Sequence, residues 1–215
     1  MSEQAGNSRR AASGGPVPDG GPAGNREPAR TGARVGDGEP GGSKGAPFLY
    51  VVVCAAGVAS GVGALIDAAL RRDWEVGVFA TPVAMDGFFD TADVEARTGR
   101  PIRSAWRRPG EPRPFPAPDA VVVAPATFNT VNKWAAGLAD TLAVATLCEA
   151  CGLGVPVGVL PCVSDALASH PAYRASLDRL RGMGVRFGDP YEGGAAAGGD
   201  RRFHWERALD LLERR

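Results

Sequence analysis

Residues 119–130 read Asp119-Ala-Val-Val-Val-Ala124-Pro125-Ala-Thr-Phe-Asn-Thr130. An unbroken apolar run such as Ala120–Ala124 describes a strand covered on both faces. It empties into a proline, small residues and an amide, where a plain strand end carries a charge or a Gly-Asn turn. Pro125 stiffens the turn, Ala126 and Thr127 leave room, and Asn129 offers a donor and an acceptor together. Such a composition suits backbone that approaches a ligand closely.

The same strand pattern appears on either side. Phe48-Leu-Tyr-Val-Val-Val-Cys54 is a second apolar run, followed by the small-residue turn Ala55–Gly61 and a helical pattern from Val62 to Arg72. Glu75–Ala80 is a strand, then come Thr81-Pro82 and a helical stretch from Met85 to Arg97. Residues 99–118, rich in proline and arginine, read as a long loop. After the central strand the pattern predicts helix from Thr130 to Ala150, strand from Val155 to Leu160, helix from Pro171 to Met183, a short strand Gly184–Phe187, and a final helix from Phe203 to Arg214. Pro171 suits the opening of its helix. This alternation predicts an α/β fold, a parallel sheet with helices on both faces joined by right-handed crossovers. Ligands of such sheets bind beyond the carboxyl ends of the strands. The turns after the first four strands all lie on that edge.

Residues 1–46 differ from the rest: Gly- and Pro-rich, without an aromatic residue and with almost no large aliphatic one. Such a segment cannot bury enough apolar surface to offset its conformational entropy, and it reads as a disordered tail ahead of one domain over residues 47–215. It lacks the apolar stretch of a secretory signal. The 24 Lys and Arg residues balance 24 Asp and Glu residues, so no global field argues for nucleic acid or an anionic membrane. No stretch approaches the roughly 18 apolar residues of a membrane helix. Cys148-Glu-Ala-Cys151 has CxxC spacing, but neither Cys54, Cys162 nor a nearby histidine completes a zinc site. The cysteines read as buried, reduced residues of a cytoplasmic protein.

Three turns invite a site. In Ala55–Gly61, backbone N–H groups could face a phosphate at a helix N-terminus, with Ser60 adding a hydroxyl; close helix–strand packing explains the same small residues. The turn is not G-x-G-x-x-G, since Ala55 stands at the first glycine, and it has no P-loop lysine. Thr81 and Asn129 each read either as ligand contacts or as ordinary helix-start residues.

Taken together, Pro125-Ala-Thr-Phe-Asn-Thr130 and Lys133-Trp-Ala-Ala-Gly-Leu-Ala-Asp140-Thr-Leu resemble the homo-oligomeric flavin-containing cysteine decarboxylase family. That family carries P-A/L-S-A-N-T followed by K-I-A-x-G-x-A/C-D-N-L, and includes phosphopantothenoylcysteine decarboxylase, lantibiotic peptidyl-cysteine decarboxylases and, more distantly, flavin prenyltransferases. The resemblance spans roughly residues 47–190. It implies a flavodoxin-like (Rossmann-type) three-layer sandwich that binds FMN at the subunit edges of a homotrimer, or of a dodecamer built from trimers. By that resemblance, the backbone at Ala56, Gly57 and Val58 meets the FMN phosphate, and Thr81 hydrogen-bonds the cofactor. Ala126, Thr127 and Phe128 lie along the flavin, Phe128 narrowing the pocket or stacking on the ring system. Asn129 addresses a substrate carboxylate or the isoalloxazine edge, and Pro161 and Ser164 stand at the family's substrate clamp.

The departures bear on activity. The decarboxylases carry a histidine a few residues ahead of the third strand, and Arg107–Pro116 holds none. Their clamp P-x-M-N-x-x-M-W is here Pro161-Cys-Val-Ser-Asp-Ala-Leu-Ala168, and their later proton-donating cysteine is missing from Gly193–Asp200. His170 and His204 fall at a helix start and in the final helix, in structural positions. Three readings follow: an FMN-binding flavoprotein with flavin chemistry on a small-molecule or peptidyl substrate; a peptidyl-cysteine or phosphopantothenoylcysteine decarboxylase, with Arg103, Arg107, Arg108 or Arg113 recognising a carboxylate; and a non-catalytic flavin-binding or regulatory subunit. A solvated basic surface is the plainer account of those arginines.

Overall fold

The computed structural model describes residues 45–191 and 202–213, so the expected tail lies outside the described residues except for Gly45 and Ala46. Five strands, β1 (Phe48–Val53), β2 (Glu75–Ala80), β3 (Ala120–Ala126), β4 (Val157–Pro161) and β5 (Arg186–Phe187), form one sheet in the order β2-β1-β3-β4-β5. Every pairing is parallel. The apolar runs that predict these strands exist because both faces are covered. Leu49, Val51 and Val53 of β1 face one core, while Phe48 and Val52 face the other.

The first core is covered by α1 (Val62–Arg71), α2 (Thr91–Thr98) and α7 (Arg207–Glu213). Arg72, capping the end of α1, reaches Asp210 at 2.8 Å and Glu213 at 3.1 Å, and Arg186 Nη1 donates to the Leu211 carbonyl at 2.8 Å. The second core lies under α3 (Phe128–Ala136), α4 (Leu142–Gly152) and α6 (Pro171–Gly182), with α5 (Asp165–Ala168) a single turn before α6. Each fully buried Val or Leu in these cores contributes about 1.5–3 kcal/mol.

Several expectations change; the final helix, expected from Phe203, begins at Arg207, so His204 precedes it. The helix expected from Thr130 to Ala150 is two helices. Gly137 adopts φ 72°, in the left-handed region that ends helices, and Thr141 caps α4 by accepting the Val144 N–H at 3.3 Å. The Lys133–Asp140 ion pair closes the corner between them. The helix expected from Met85 to Arg97 begins later: Pro82–Met85 is a short 3-10 turn, and Asp90 caps α2 through the Asp93 N–H at 3.0 Å. Strand β3 also continues past Ala124 to Ala126. Its pairing with β4 shifts register between Val123 and Ala126, where Pro125 has no N–H to give the ladder.

The loop of residues 99–118 is irregular but anchored. Arg103 joins the edge of β2 opposite Phe79, and Phe115 is buried against Phe79 and Phe48, with ring centroids at 5.4 and 5.9 Å.

Candidate functional site

The chain places β2 on one side of β1 and then crosses back to place β3 on the other, so the strand order reverses between β1 and β3. A crevice opens at that switch point, beyond the carboxyl ends of the strands. A cleft of ≈ 380 Å³ occupies it, within the range of small-ligand sites. Ala55 borders it after β1, Thr81, Pro82 and Val83 after β2, Thr127, Asn129, Thr130 and Lys133 at the start of α3, and Thr141 and Val144 at the start of α4.

The α3 contribution follows from its cap. Thr127 takes the N-cap position, its Oγ1 accepting the Thr130 N–H at 3.4 Å and lying 3.1 Å from the Thr130 hydroxyl. Asn129 is therefore not the cap. Its amide is exposed in the cleft and makes no hydrogen bond among the described residues. One helical turn on, Lys133 reaches the same cleft from the i+4 position. Behind this wall, burial pushes the Cys54 thiol up, with hydrogen bonds from Thr130 and Thr127 opposing it. Cys54 is a free, fully buried thiol.

Of the residues expected at the site, Thr81, Thr127 and Asn129 come together in the cleft. Ala56, Gly57 and Val58 follow Ala55 along the turn beyond β1. No acceptor within the described residues takes the backbone N–H groups of Ala55 to Val58, whereas Ala59 and Gly61 donate to Ala56 and Val58. These open donors fit an anion. Ser60 is exposed in the short 3-10 turn Ala59–Gly61. Gly61 serves the packing account of the same turn, since a Cβ there would lie 2.9 Å from Trp205 Nε1. Ala126 is buried within β3 and receives the Cys162 N–H at 2.8 Å.

The Phe128 side chain departs from expectation. Its ring stacks on Tyr173 at 5.5 Å and meets the His170 edge at 5.8 Å, on α6 and its cap, so it neither narrows the cleft nor faces it. Successive helical residues point about 100° apart, and the turn that sends Asn129 into the cleft sends Phe128 away from it. Pro161 and Ser164 lie one strand over, Pro161 paired with Ala126 and Ser164 capping α5, and neither lines the cleft.

Sequence reasoning placed Ala55 in the candidate phosphate turn but left out Pro82, Val83, Thr130, Lys133, Thr141 and Val144 as lining residues. The i+4 spacing from Asn129 was the signal that could have found Lys133. The lining offers hydroxyls, an amide, one ammonium and apolar surface, but no carboxylate, thiol or imidazole. It can hold and orient a polar, flat ligand but carries no general base, since its one ionisable group, Lys133, is an ammonium paired with Asp140. Elsewhere, Cys148 and Cys151 lie near the end of α4, both thiols pushed up by burial. Among the described residues no three metal-ligating side chains gather, and no helix is long and apolar enough to cross a membrane.

A coenzyme A biosynthesis bifunctional protein of Thermococcus kodakarensis is 34% identical over 79 residues, covering 36% of this chain. The chain spans only about a fifth of the length of the curated relatives it matches, 19% for that one. Among solved structures, a PPC decarboxylase variant complexed with pantothenoylaminoethenethiol superposes with a TM-score of 0.62 at 20% identity, covering 79% of this chain and 100% of that one. This is a likeness of fold, and it fits the flavodoxin-like order of the strands. The FMN-dependent cysteine decarboxylase SpaF gives a TM-score of 0.57 at 26% identity, covering 78% of this chain and 96% of its own. The family model described as Flavoprotein matches residues 43–202, and the chain belongs to the flavoprotein family.

Proposed function

We propose that the chain binds FMN non-covalently in the cleft at the β1–β3 switch point. The observation that carries this reading is the pairing of a donor-rich cleft without carboxylate, thiol or imidazole with the uncommitted N–H groups of Ala55 to Val58 beside it. Those groups hold the phosphate, a fixed set of backbone dipoles that needs no lysine. Thr81, Thr127 and Asn129 orient the ring system, and Val83 and Val144 exclude water from it. When bound, FMN supplies one- and two-electron redox chemistry.

The substrate is a small molecule or a peptide end, and its reaction differs from standard cysteine decarboxylation. The histidine ahead of β3 and the methionine-tryptophan clamp are missing from Arg107–Pro116 and Pro161–Ala168. Asn129, with its amide free in the cleft, is the residue placed to hold the substrate or the flavin edge. Decarboxylation of a cysteine-ended peptide is the second reading, favoured by the likeness to a cysteine decarboxylase at 26% identity. We further propose that the protein works as a homotrimer, alone or within a dodecamer, and that residues 1–46 are dispensable for flavin binding.

Purified protein is expected to be yellow and to release FMN on heating, identified against FAD by chromatography. Colourless protein that also fails to take up added FMN overturns the assignment. Incubation with a cysteine-ended peptide separates the two readings: a product lighter by carbon dioxide and two hydrogens establishes the decarboxylase.

A further inference from the structure

The connection between α2 and β3 builds a second cleft that the flavin site leaves unused. Arg103 is fixed by its backbone, donating to the Val78 carbonyl and accepting from the Ala80 N–H, each at 2.9 Å. Phe115 pins the other end of the segment in the aromatic cluster of β1 and β2. Between these anchors the segment encloses ≈ 260 Å³ against α4, lined among others by Tyr50, Phe79, Arg103, Trp106, Arg113 and Glu149. None of its lining residues borders the flavin cleft, so the inference stands apart from the flavin assignment.

The chemistry of this lining is unbalanced. Arg103 Nε is closed off from solvent and has no hydrogen-bond partner. Buried donors are ordinarily satisfied, so the guanidinium of Arg103, a residue of the cleft lining, keeps one N–H without an acceptor. Arg113 makes neither an ion pair nor a hydrogen bond among the described residues, whereas Arg72, Arg97 and Arg100 are all ion-paired. Trp106 lines the cleft while 59% exposed, and Tyr50 turns its hydroxyl outward to the Pro116 carbonyl at 2.5 Å, leaving its ring as wall. Guanidinium and aromatic faces together suit a flat body that bears an oxyanion. Glu149, on the α4 wall, disfavours a second negative charge on that side, so the ligand carries its charge at one end.

We propose that this cleft is a second ligand site, taking a small molecule with a carboxylate or phosphate on a flat apolar body. The oxyanion seats at Arg103 and Arg113, and the body lies against Trp106, Tyr50 and Phe79.

Calorimetric titration of the full chain, as purified, with benzoate and with phenyl phosphate tests this. At least one probe is expected to bind saturably, and the tighter of the two identifies the oxyanion. Benzyl alcohol, the same body uncharged, is expected to bind at least about ten-fold more weakly. Arg103→Gln and Arg113→Gln should each weaken the charged probe about ten-fold while flavin content stays unchanged. Should the Arg103 variant fail to fold, Arg113, on the exposed loop, carries the test. No saturation by either probe up to about 10 mM, undiminished binding in Arg113→Gln, or equal binding of benzyl alcohol overturns the proposal.

Discussion

Thr127 accepts the Thr130 N–H at 3.4 Å and so takes the capping duty of α3, which leaves the Asn129 amide uncommitted in the cleft two residues further on. A residue that merely caps a helix tolerates aspartate. A residue that touches a ligand does not. Asn129→Asp removes two donors and adds a charge. Near the N-terminus of α3 that charge stabilises the helix by roughly 0.3–1 kcal/mol. The expected outcome is therefore an unchanged or slightly raised melting temperature, a modest loss of FMN affinity, and a far larger loss of any turnover. Unaltered flavin spectrum, affinity and activity in this variant would remove Asn129 from the site.

Thr127→Val keeps the shape and deletes the acceptor. Loss of the cap is expected to cost about 1 kcal/mol, read as a lower urea midpoint, and Thr127→Ser should recover most of it. A loss in Thr127→Ser with none in Thr127→Val would mean that the methyl, not the hydroxyl, is what matters.

Two buried groups, Cys54 and Tyr173, and the half-buried Tyr50 make stability fall at alkaline pH. Burial raises the Cys54 thiol above its ordinary 9.0, and raises the Tyr50 and Tyr173 phenols above 10.0. A raised value in the folded state means that folding favours the protonated form. The contribution is intact below the ordinary values and is lost as pH climbs through the raised ones. Urea midpoints should hold steady to about pH 8 and decline toward about pH 11, with Tyr50→Phe flattening part of the slope. A midpoint independent of pH across that window contradicts this.

Phe115 is 4% exposed and holds the long loop to the sheet. Phe115→Ala is expected to destabilise by about 3–5 kcal/mol, and Phe115→Leu by much less. Limited proteolysis should cut the alanine variant within residues 99–118 first. Cleavage elsewhere at the same rate would show that the loop is held by other contacts.

The sheet was legible because burial on both faces writes itself as unbroken apolar runs. The corner between α3 and α4 was not, since apolar residues continue on both sides of it and only Gly137 and Thr141, two local signals, mark the break. The site divides along the same line. Thr81, Thr127 and Asn129 sit in strand-end turns, whose location the parallel sheet dictates. Thr141 and Val144 reach the cleft only because the corner folds α4 back toward it, a tertiary event with no signature at those positions. Phe128 lies outside the cleft lining for a rotational reason: its neighbour's direction fixes its own, and α6 supplies Tyr173 as a partner that sequence spacing does not reveal.

The bonds from Arg72 to Asp210 and Glu213 join groups 138 and 141 positions apart, while α1 packs locally beside β1 and β2. Closing so long a loop is slow compared with forming a neighbouring strand–helix unit. Until α7 docks, Gly158, Leu160 and the adjoining part of β3 lack the cover that α7 gives them, and this end of the sheet exposes apolar surface. The opposite face is completed by α3, α4 and α6, all of which precede α7 in the chain. The interval before α7 arrives is then the period in which a nascent chain is most prone to stick to its neighbours.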